Sequence, residues 1–594
     1  MKSMTVTTES HLFTLTVPDE RFQVALTAEQ KQPGVALIHI ALKAETAQEP
    51  PHVTLQFVHP AADIHASWHP AHDRNKSFKA DWMRTLRANA ASSAPVYALF
   101  NALSRNRLTF AFSDALNTVH YAGGIREETA EFHCRLELFK EELAPLTVYN
   151  GTLLVDTRDV PYYEALQGVQ AWWNALPHYA AAYVPEAALS PMYSTWYNMH
   201  QNVTSALIEE ECRLAKSLGM EAVIIDDGWQ TADNRRGYAY TGDWEPEPGK
   251  FPDMRSHVET IHELGMKVML WYSVPHIGKH SQAWKRFADK LLRFNEGHGA
   301  GILDPRYPEV RDYIIGKYEQ AVKEWNLDGF KLDFIDTFYS PELQTSSTTP
   351  GRDLASIPEA VDRLMTDSIL RLRAIKPDIL VEFRQPYIGP AMRKYGNMFR
   401  ASDCPNDSIQ NRVRILDIRL ICGQTAAHSD MMMWHESDPL ESAALQLINS
   451  LFGVPQISVL LAKLPQEQLR MLRYWLAFWR DNRDILLAGE LAPANPELLY
   501  PLVRASLGSR VLIAVYYDTV VPLHASSEAE EWTLVNGRLQ SGLVIEVAEP
   551  LGMVEIAYKT CCGDPVSQSV IELKAGLHKL PIPAAGTAHL RRMP

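Results

Sequence analysis

The spacing of apolar residues divides the chain into three parts. Up to about residue 180, apolar positions recur with a period of two in short runs, and polar or proline-containing turns separate these runs. Such alternation is typical of β-strands, and many short strands in succession predict an antiparallel β-sandwich. The segment 163–183 that follows predicts a helical connector. The clearest strand-like runs are 11–17, 22–28, 35–44, 53–58, 108–113 and 132–139.

From about residue 190 to 490, strand-like runs alternate with amphipathic helices. The clearest helix is 308–325, whose apolar residues form one stripe and whose first residue is a proline; 439–452 and 465–487 are similar. The strand-like runs are 192–199, 222–229, 267–274, 329–335, 379–384, 398–403, 427–432 and 456–461. Eight βα units over about 300 residues predict a (βα)₈ TIM barrel. Alternation alone also permits an open doubly wound sheet, but the count and the absence of a GxGxxG fingerprint favour the barrel.

The last hundred or so residues return to short strands, such as 510–517, 543–547 and 553–558. We therefore predict a multidomain protein. Residues 1–185 form an N-terminal β-sandwich domain with its helical linker, 186–490 form the (βα)₈ barrel, and 491–594 form a C-terminal β-sandwich domain.

Composition excludes several classes of protein. Of the 594 residues, 46 % are hydrophobic and 22 % are charged, which excludes a mostly disordered or fibrous chain. The net charge of −14 disfavours nucleic acids and anionic membranes as partners. The six cysteines show no CxxC spacing, which argues against a disulfide framework or structural zinc. The N-terminus lacks a secretion signal and no long apolar window occurs, so we expect a soluble cytoplasmic protein.

Charged and aromatic residues lie at the carboxyl ends of the expected barrel strands, where this fold places its reactive groups. Charged side chains are rarely buried without a partner or a task. Carboxylates accept hydrogen bonds from hydroxyl groups, and aromatic faces cover the apolar side of a sugar ring, so we expect a polyhydroxylated substrate. The residues concerned are Asp226, Asp227, Trp229, Trp271, Lys331, Asp333, Arg400, Asp403, His428 and Asp430.

Two carboxylates are the main candidates for acid–base chemistry, because glycoside hydrolysis needs a pair that flanks the scissile bond. Asp333 lies in a very apolar strand and shares a face with Lys331, whose ammonium keeps a carboxylate ionised, as a nucleophile requires. Asp403 ends another strand, three residues after Arg400. Either aspartate alone is weak evidence, because a strand-end aspartate often caps the next helix.

The candidates have competitors and structural alternatives. Asp336 and Asp407 are further carboxylates near these strand ends, and Asp407 is better explained as the N-cap of the helix that follows. Asp226 and Asp227 could instead form a turn before Gly228. The strand-end tryptophans could instead be barrel packing; they are Trp196, Trp229 and Trp271.

One cluster resembles a metal site in composition only. Its spacing matches no H-E-x-x-H pattern, so we do not expect it to bind a metal. The cluster consists of His428, Asp430, His435 and Glu436. Cys404, beside the candidate acid, is interpreted as a small apolar filler.

Several stretches match a known family in order. They are 223–229 (VIIDDGW), 242–244 (GDW), 250–252 (KFP), 265–271 (GMKVMLW), 303–313 (LDPRYPEVRDY), 331–333 (KLD), 402–403 (SD), 429–434 (SDMMMW) and 443–458 (AALQLINSLFGVPQIS). Together they resemble glycoside hydrolase family 36, the α-galactosidase-like retaining hydrolases, over about 190–490. The flanking β regions fit the domain order of the family, although the N-terminal one is shorter than in its large bacterial members.

The resemblance implies a double-displacement mechanism with net retention and no cofactor. It implies that Asp333 is the nucleophile, that Asp403 is the general acid/base, and that Asp226 and Asp227 hold sugar hydroxyls. The two catalytic carboxyl groups are then expected about 5–6 Å apart. Further substrate contacts are expected from Lys331, Arg400, Asp430, Trp196, Trp229 and Trp271.

One departure from the family bears on specificity. After the fifth strand, its α-galactosidases carry a Cys-Ser-Gly-Gly stretch that lines the glycone pocket, whereas this chain has VEFRQP at 381–386. These larger, charged residues fill or recharge part of the pocket, so the glycone need not be plain galactose. Arg384 either binds an anion there or pairs with Glu382 and leaves the pocket neutral. The segment 276–285 either sets aglycone preference or is a solvated loop.

We therefore expect a cytoplasmic retaining exo-α-glycosidase, with α-galactosidase as the leading activity. Its partner would be a small oligosaccharide or glycoside, not a nucleic acid or a membrane, and a homo-oligomer is plausible. The alternatives are a related glycosidase with a different glycone, such as N-acetylgalactosamine or an acidic sugar, and a transglycosylase on the same scaffold. A non-catalytic carbohydrate-binding protein and a metal-dependent barrel hydrolase represent other classes.

Overall fold

The computed structural model describes residues 2–141, 143–339, 349–523 and 529–593. Its N-terminal strands form two sheets, in the orders β1-β2-β5-β12-β11-β7, with β8 also paired to β11, and β3-β4-β13-β10-β9-β6. These strands are β1 (Lys2–Thr7), β2 (Leu12–Val17), β3 (Gln23–Gln32), β4 (Val35–Gln48), β5 (Val53–Pro60), β6 (Ala66–Trp68), β7 (Lys79–Ala80), β8 (Leu86–Ala88), β9 (Val96–Phe100), β10 (Asn106–Phe112), β11 (Val119–Arg126), β12 (Glu131–Leu138) and β13 (Leu146–Asp156). Inward residues of both sheets, such as Leu55 and Phe110, share one core, as expected for a sandwich.

The middle of the chain forms an eight-stranded parallel sheet in the order β23-β22-β21-β20-β16-β15-β14-β24. Parallel bridges from His428 to Val454 and from Met432 to Ile457 bring its two ends together, which confirms the predicted (βα)₈ barrel. A small sheet, β17-β19-β18, is inserted between the third and fourth barrel strands. The strands are β14 (Met192–Ser194), β15 (Ala222–Ile225), β16 (Lys267–Ser273), β17 (His276–Gly278), β18 (Leu291–Asn295), β19 (Ala300–Leu303), β20 (Gly329–Asp333), β21 (Leu380–Arg384), β22 (Met398–Arg400), β23 (Ala426–His428) and β24 (Gln456–Ile457).

The helices of the barrel largely follow the amphipathic pattern. The helix predicted at 308–325 is found at those bounds, whereas the single helix predicted at 465–487 is two helices that meet at Asn482. The helical connector is α1. The α-helices are α1 (Tyr162–Ala175), α2 (Trp196–Met199), α3 (Ser205–Ser217), α4 (Met254–Glu263), α5 (Gln282–Phe287), α6 (Pro308–Trp325), α7 (Ile357–Ile375), α8 (Met392–Tyr395), α9 (Ser408–Arg419), α10 (Leu440–Asn449), α11 (Gln466–Asp481) and α12 (Arg483–Ala488).

The C-terminal strands also form two sheets, β25-β26-β27-β29-β34-β31-β32 and β28-β30-β33. Buried residues of both sheets, such as Val511 and Ile545, form one core. The strands are β25 (Glu490–Pro493), β26 (Leu502–Leu507), β27 (Arg510–Val515), β28 (Val520–Leu523), β29 (Glu531–Asn536), β30 (Leu543–Val547), β31 (Gly552–Lys559), β32 (Pro565–Leu573), β33 (Gly576–Leu580) and β34 (Thr587–Arg592). The division of the chain at 185/186 and 490/491 remains our proposal.

A buried polar junction joins the N-terminal sandwich to the barrel. The ammonium of Lys76 lies 2.6 Å from a carboxylate oxygen of Asp417 on α9, and both side chains are at most 1 % exposed. The other carboxylate oxygen accepts hydrogen bonds from the indole of Trp68 and the hydroxyl of Tyr500. The sandwich is therefore held against the helix that follows the sixth barrel strand. Among the described residues, no helix has the length and apolar character needed to cross a membrane.

Candidate active site

Asp333 is the last residue of β20 and lies at the carboxyl end of the barrel. Its Oδ1 accepts hydrogen bonds from Arg384 Nε (2.8 Å), from the Tyr387 hydroxyl and from the backbone N–H of Phe334 (2.8 Å). Its Oδ2 accepts one from the indole Nε1 of Trp271 at 3.2 Å. One carboxylate oxygen is thus held by three donors, whereas the other is much less engaged.

The local backbone and charges favour the ionised form of Asp333. Phe334 adopts a left-handed conformation (φ 63°), which is rare for a bulky residue, and this turn directs its N–H back to the carboxylate. Burial alone would raise the pKa of Asp333. The charges of Arg384 and Lys331 outweigh burial and, together with the hydrogen bonds to the carboxylate, hold that pKa well below its usual range.

The structure decides between the two alternatives for Arg384 in part. The alternative in which Arg384 pairs with Glu382 is wrong, because Arg384 forms its ion pair with Asp333. Both residues lie on β21, but Glu382 is one layer deeper in the barrel, where Gln456 donates to its carboxylate. The guanidinium of Arg384 also lies over the rings of Phe334 and Tyr387, at 5.6 and 5.3 Å. The arginine therefore occupies the site beside Asp333 without a neutralising glutamate.

Asp403 interacts electrostatically with the same two cations as Asp333, which are Arg384 and Lys331, and also with Arg400. Its side chain is about half exposed, at 51 %, and its Oδ1 accepts a hydrogen bond from Arg400 at 2.9 Å. Burial of the carboxylate opposes ionisation, but the charges of Arg400, Lys331 and Arg384 lower the pKa of Asp403 below its usual value. Because Arg384 interacts electrostatically with both Asp333 and Asp403, the two candidate carboxylates face one cationic cluster.

The competing carboxylates have other surroundings. Asp407 is confirmed as an N-cap, because its side chain accepts a hydrogen bond from the backbone N–H of Gln410 at the start of α9. It also pairs with Arg74 of the N-terminal sandwich. Asp336 lies in a short 3₁₀ turn after β20, and burial raises its pKa.

Arg400 links Asp403 to the barrel interior. It is 1 % exposed and pairs through Nη1 with Asp430, which also accepts hydrogen bonds from the Tyr197 hydroxyl at 2.8 Å and from the Cys404 backbone N–H at 2.6 Å. Burial raises the pKa of Asp430. The expected substrate residues Arg400 and Asp430 are therefore buried beneath the site and engaged with each other.

Asp226 and Asp227 follow β15 and are almost fully buried. Lys331 donates to Asp226, while Gln201 and Gln230 each donate to Asp227 at 2.7 Å. Burial is the main cause that raises the pKa of Asp227 to about 6. The two carboxylates thus differ in their partners: Asp226 pairs with the ammonium of Lys331, whereas Asp227 accepts hydrogen bonds from two side-chain amides.

The conformation after this pair requires a glycine. Gly228 has φ 118°, and a Cβ there would lie 2.5 Å from the Cα of Gln201. The sequence 226–228 (DDG) therefore does form a turn, which was the alternative interpretation of this pair of aspartates. The same segment also directs two carboxylates into the barrel.

The three tryptophans differ in position. Trp271 contacts Asp333 directly, as described. Trp229 is fully buried, donates its indole N–H to the backbone of Trp271 at 2.9 Å and packs against other aromatic rings, so its position supports packing instead of a sugar contact. Trp196 begins α2 after the first barrel strand, is half-buried and packs against His200.

Several residues near the site were not expected from the sequence. Tyr387 follows the fifth strand, and Tyr238 comes from the segment after the second strand, where its ring stacks on Trp271 and His276. Tyr238 also interacts electrostatically with Asp227. His276 is 1 % exposed on β17, which shows that the first part of 276–285 is a buried strand and not a solvated loop. The sequence signal that could have predicted Tyr387 at the site is its position within three residues of an arginine that ends a barrel strand.

The cluster considered for metal binding does not assemble. His428 Nε2 donates to the backbone oxygen of Ala188 inside the barrel. His435 lies in an exposed turn, where its Nδ1 accepts from the backbone N–H of Ser437. Over the described part of the chain, no group of three or more His, Cys, Asp or Glu side chains could hold a metal ion.

The N-terminal sandwich contacts the segment that carries Asp403. Arg414 on α9 donates to the backbone oxygens of Ser402 (3.0 Å) and Asp403 (2.9 Å), and its other edge pairs with Asp73 at 2.8 Å. We call Asp73 and Arg414 the interdomain clamp. Near the fifth strand, the backbone N–H of Ser93 donates to Pro386 at 2.8 Å. The sandwich thus supports both of these segments at the barrel mouth.

A family model and curated relatives match this chain. The model described as Melibiase matches residues 190–489. Alpha-galactosidase 1 of Pediococcus pentosaceus is 26 % identical over 187 residues, which cover 29 % of this chain and 24 % of the relative. Alpha-galactosidase AgaA of Geobacillus stearothermophilus is 23 % identical over 315 residues, which cover 50 % of this chain and 42 % of the relative. The matches thus span less than half the length of these two relatives.

Solved structures show the same fold over nearly the whole chain. A variant of the GH36 alpha-galactosidase AgaA from G. stearothermophilus, crystallised in complex with raffinose, superposes with a TM-score of 0.68 at 16 % identity. The superposition covers 98 % of this chain and 81 % of that one.

Proposed function

Because the chain belongs to the Melibiase family, we propose that it is a retaining exo-α-glycosidase, with α-galactosidase as its leading activity. The proposed substrate is a small oligosaccharide or glycoside with a terminal α-linked sugar, and the proposed location is the cytoplasm. The names of the relatives and the raffinose bound by AgaA support this class of substrate. A homo-oligomer is compatible with the proposal.

In the first step, Asp333 attacks the anomeric carbon. Its Oδ1 is held by Arg384, Tyr387 and the backbone, so the attacking atom is Oδ2. The Oδ2–C1 bond forms as the bond from C1 to the leaving oxygen breaks, and Asp403 gives its proton to that oxygen. The products of this step are a glycosyl ester on Asp333, the free leaving alcohol and an ionised Asp403.

In the second step, water replaces the ester. Asp403 takes a proton from the water, the water oxygen bonds to C1, and the C1–Oδ2 bond breaks. Two displacements at the same carbon give net retention of configuration, and Asp333 and Asp403 return to their starting states. A second sugar in place of water would give the transglycosylation product.

The paired aspartates are the proposed glycone contacts. Asp226, which faces Lys331, presents a charged acceptor for sugar hydroxyls, and the near-neutral pKa of Asp227 allows it to accept or donate. Trp271 and Tyr238 form an adjacent aromatic wall that can cover an apolar sugar face.

A related glycosidase with a different glycone is the second candidate, and Arg384 is the observation that favours it. Its guanidinium lies beside Asp333, where the resemblance leads us to expect small residues. A substituent close to the reacting carbon must therefore accommodate a cationic side chain. N-acetylgalactosamine and acidic sugars are the alternatives to test.

The observation that carries the proposal is the held carboxylate of Asp333 facing the same cationic cluster as Asp403. The test is hydrolysis of p-nitrophenyl α-glycosides of galactose, N-acetylgalactosamine, glucose and an acidic sugar, together with raffinose. Asp333→Asn serves as the matched inactive variant. We expect the wild type to cleave the glycoside of one of these sugars and Asp333→Asn to cleave none of them. Full activity of Asp333→Asn contradicts the mechanism, and cleavage of none of these compounds contradicts the proposed hydrolase.

A further inference from the structure

Arg400 lies between three carboxylates but completes its contacts with only two of them. It donates to Asp403 and to Asp430. The third carboxylate belongs to Glu382, which is fully buried, and its Oε1 lies 3.6 Å from Arg400 Nε. Among the residues that the structure describes, neither Glu382 Oε1 nor Arg400 Nε has a hydrogen-bond partner, although both atoms are buried.

Such an arrangement is unusual, because a buried polar atom without a partner destabilises the folded protein. Here a donor and an acceptor, both unsatisfied, face each other just beyond hydrogen-bond distance. The other oxygen of Glu382 is held by Gln456 on β24, which fixes the glutamate in place. A small movement of Arg400 toward Glu382 would satisfy both atoms and lengthen its contact with Asp403.

The proposed mechanism creates a need for that movement. In the first step Asp403 must carry a proton, but Arg400 at 2.9 Å favours the ionised carboxylate. The contact between Arg400 and Asp403 must therefore weaken while Asp403 is protonated, and must form again when Asp403 becomes ionised. We propose that Glu382 is a positioning residue that competes with Asp403 for Arg400 and so lets Asp403 act as a proton donor. This inference rests on the proposed role of Asp403.

The surrounding charges are compatible with a movement of Arg400 between Asp403 and Glu382. Burial raises the pKa of Glu382, and the charges of Arg400 and Lys331 oppose this effect. Charged and titratable groups surround Arg400 and Glu382 on each neighbouring barrel element. They are Asp226 after β15, Lys331 and Asp333 on β20, Glu382 and Arg384 on β21, Asp403 after β22, His428 on β23 with Asp430 after it, and Tyr197 on α2. Asp430 keeps its contact with Arg400 in both arrangements.

The pH profile of kcat/KM tests the proposal. The substrate should be an oligosaccharide, because a sugar leaving group needs protonation more than p-nitrophenol does. The key variant is Glu382→Gln, which keeps the size of the side chain and removes the charge that competes for Arg400. Arg400 then stays with Asp403, and the pKa of Asp403 falls. We expect the alkaline limb to move to lower pH by about one unit, with a roughly tenfold loss on that limb.

Two further variants separate this role from a structural one. Glu382→Asp keeps the charge, so its alkaline limb should lie closer to that of the wild type than the limb of Glu382→Gln does. Glu211→Gln removes an equally buried carboxylate of the barrel, which accepts hydrogen bonds from Tyr193 and from the backbone of Leu461. Glu211→Gln should leave the alkaline limb of the kcat/KM profile at its wild-type position.

The outcomes distinguish this inference from the proposed function. An alkaline limb that is unchanged in folded Glu382→Gln, while the wild type is active, overturns the inference alone. If Glu382→Gln does not fold, Glu382→Asp carries the test. Its shorter side chain holds the charge farther from Arg400, so its alkaline limb should move to lower pH by less than one unit, and a limb at or above the wild-type position overturns the inference. Retention of activity by Asp333→Asn would overturn the proposed mechanism instead.

Discussion

Arg384 Nε donates a hydrogen bond to Asp333 Oδ1 at 2.8 Å, and this ion pair joins the fourth and fifth strands of the barrel at its carboxyl edge. The contact explains how a carboxylate in an apolar strand stays ionised. It also places a large cation beside the carboxylate that we propose as the nucleophile. Ionisation of Asp333 and the choice of glycone are therefore linked through one side chain.

Arg384→Gln should move the acid limb of the pH profile upward. Asp333 must be ionised to attack, so activity is lost as the pH falls through its pKa. Removing the cation that holds this pKa low raises it, and activity is then lost at a higher pH than in the wild type. The measurement is kcat/KM against pH for each enzyme. Tyr387→Phe removes one hydrogen bond from the same oxygen and should shift the limb in the same direction by less. An acid limb that stays in place in both variants would contradict the account of Asp333.

Asp403→Gly should separate substrates by their leaving groups. Without the proton donor, hydrolysis of the oligosaccharide should fall by about 10²–10⁴-fold, whereas glycosyl-enzyme formation from a p-nitrophenyl glycoside should fall less. Added azide should then replace water in the second step and give a glycosyl azide of retained configuration. Steady-state rates and product analysis by NMR measure both effects. Equal losses on both substrates, with no azide product, would rule out Asp403 as the acid/base.

Asp73→Ala should lower kcat with little effect on stability. Asp73 holds the edge of Arg414 that lies away from the backbone of Asp403, so its loss loosens the interdomain clamp. We expect kcat to fall by about threefold to tenfold. The melting temperature should change little, because Asp73 is half exposed and such pairs contribute only about 0–1 kcal/mol. Asp63→Ala, which breaks an exposed ion pair with Arg107 elsewhere in the sandwich, is the control. The same kcat in both variants would show that the clamp does not position the acid/base.

Asp417→Asn should destabilise the junction between the sandwich and the barrel. It leaves the ammonium of Lys76 buried without its counter-ion, which costs about 3–5 kcal/mol. Replacing both partners by apolar residues, as in Lys76→Met with Asp417→Leu, should cost less than the single change. Urea denaturation followed by tryptophan fluorescence and circular dichroism compares the variants. A single variant as stable as the wild type would contradict the assignment of this pair as a structural ion pair.

The sequence was most informative where one element obeys one period. The helix Pro308–Trp325 follows from its apolar stripe and N-terminal proline. The barrel strands were predicted in the correct order, and all but the fifth, which ends at Arg384 as predicted, were predicted too long at their carboxyl ends. The run 329–335 ends at Asp333, because Phe334 turns left-handed, and the run 222–229 ends at Ile225 before the DDG turn. The hydrophobic pattern does not predict where these strands end, because functional turns depart from the period that defines a strand.

The pairing of charges at the site could not be predicted in the same way. Pairing of Arg384 with Glu382 was one of the two alternatives that the sequence left open. Their partners are instead set by neighbouring strands: Arg384 meets Asp333 of β20, and Glu382 meets Gln456 of β24. The interdomain clamp likewise depends on how two distant segments pack. The resemblance to glycoside hydrolase family 36 is confirmed by the family model, and the solved structures confirm the fold. The residue roles taken from the resemblance remain proposals.

The central claim is that Asp333 forms a covalent bond to the sugar. Incubation with a 5-fluoro glycosyl fluoride of the preferred glycone, followed by mass spectrometry of the intact protein and its peptides, tests it most directly. The fluorine slows both steps, and a good leaving group lets the ester accumulate. We expect one sugar per chain, attached to the peptide that contains Asp333. An active enzyme that carries the label on Asp336 or Asp403, or that turns the reagent over with inversion and no label, would contradict the account.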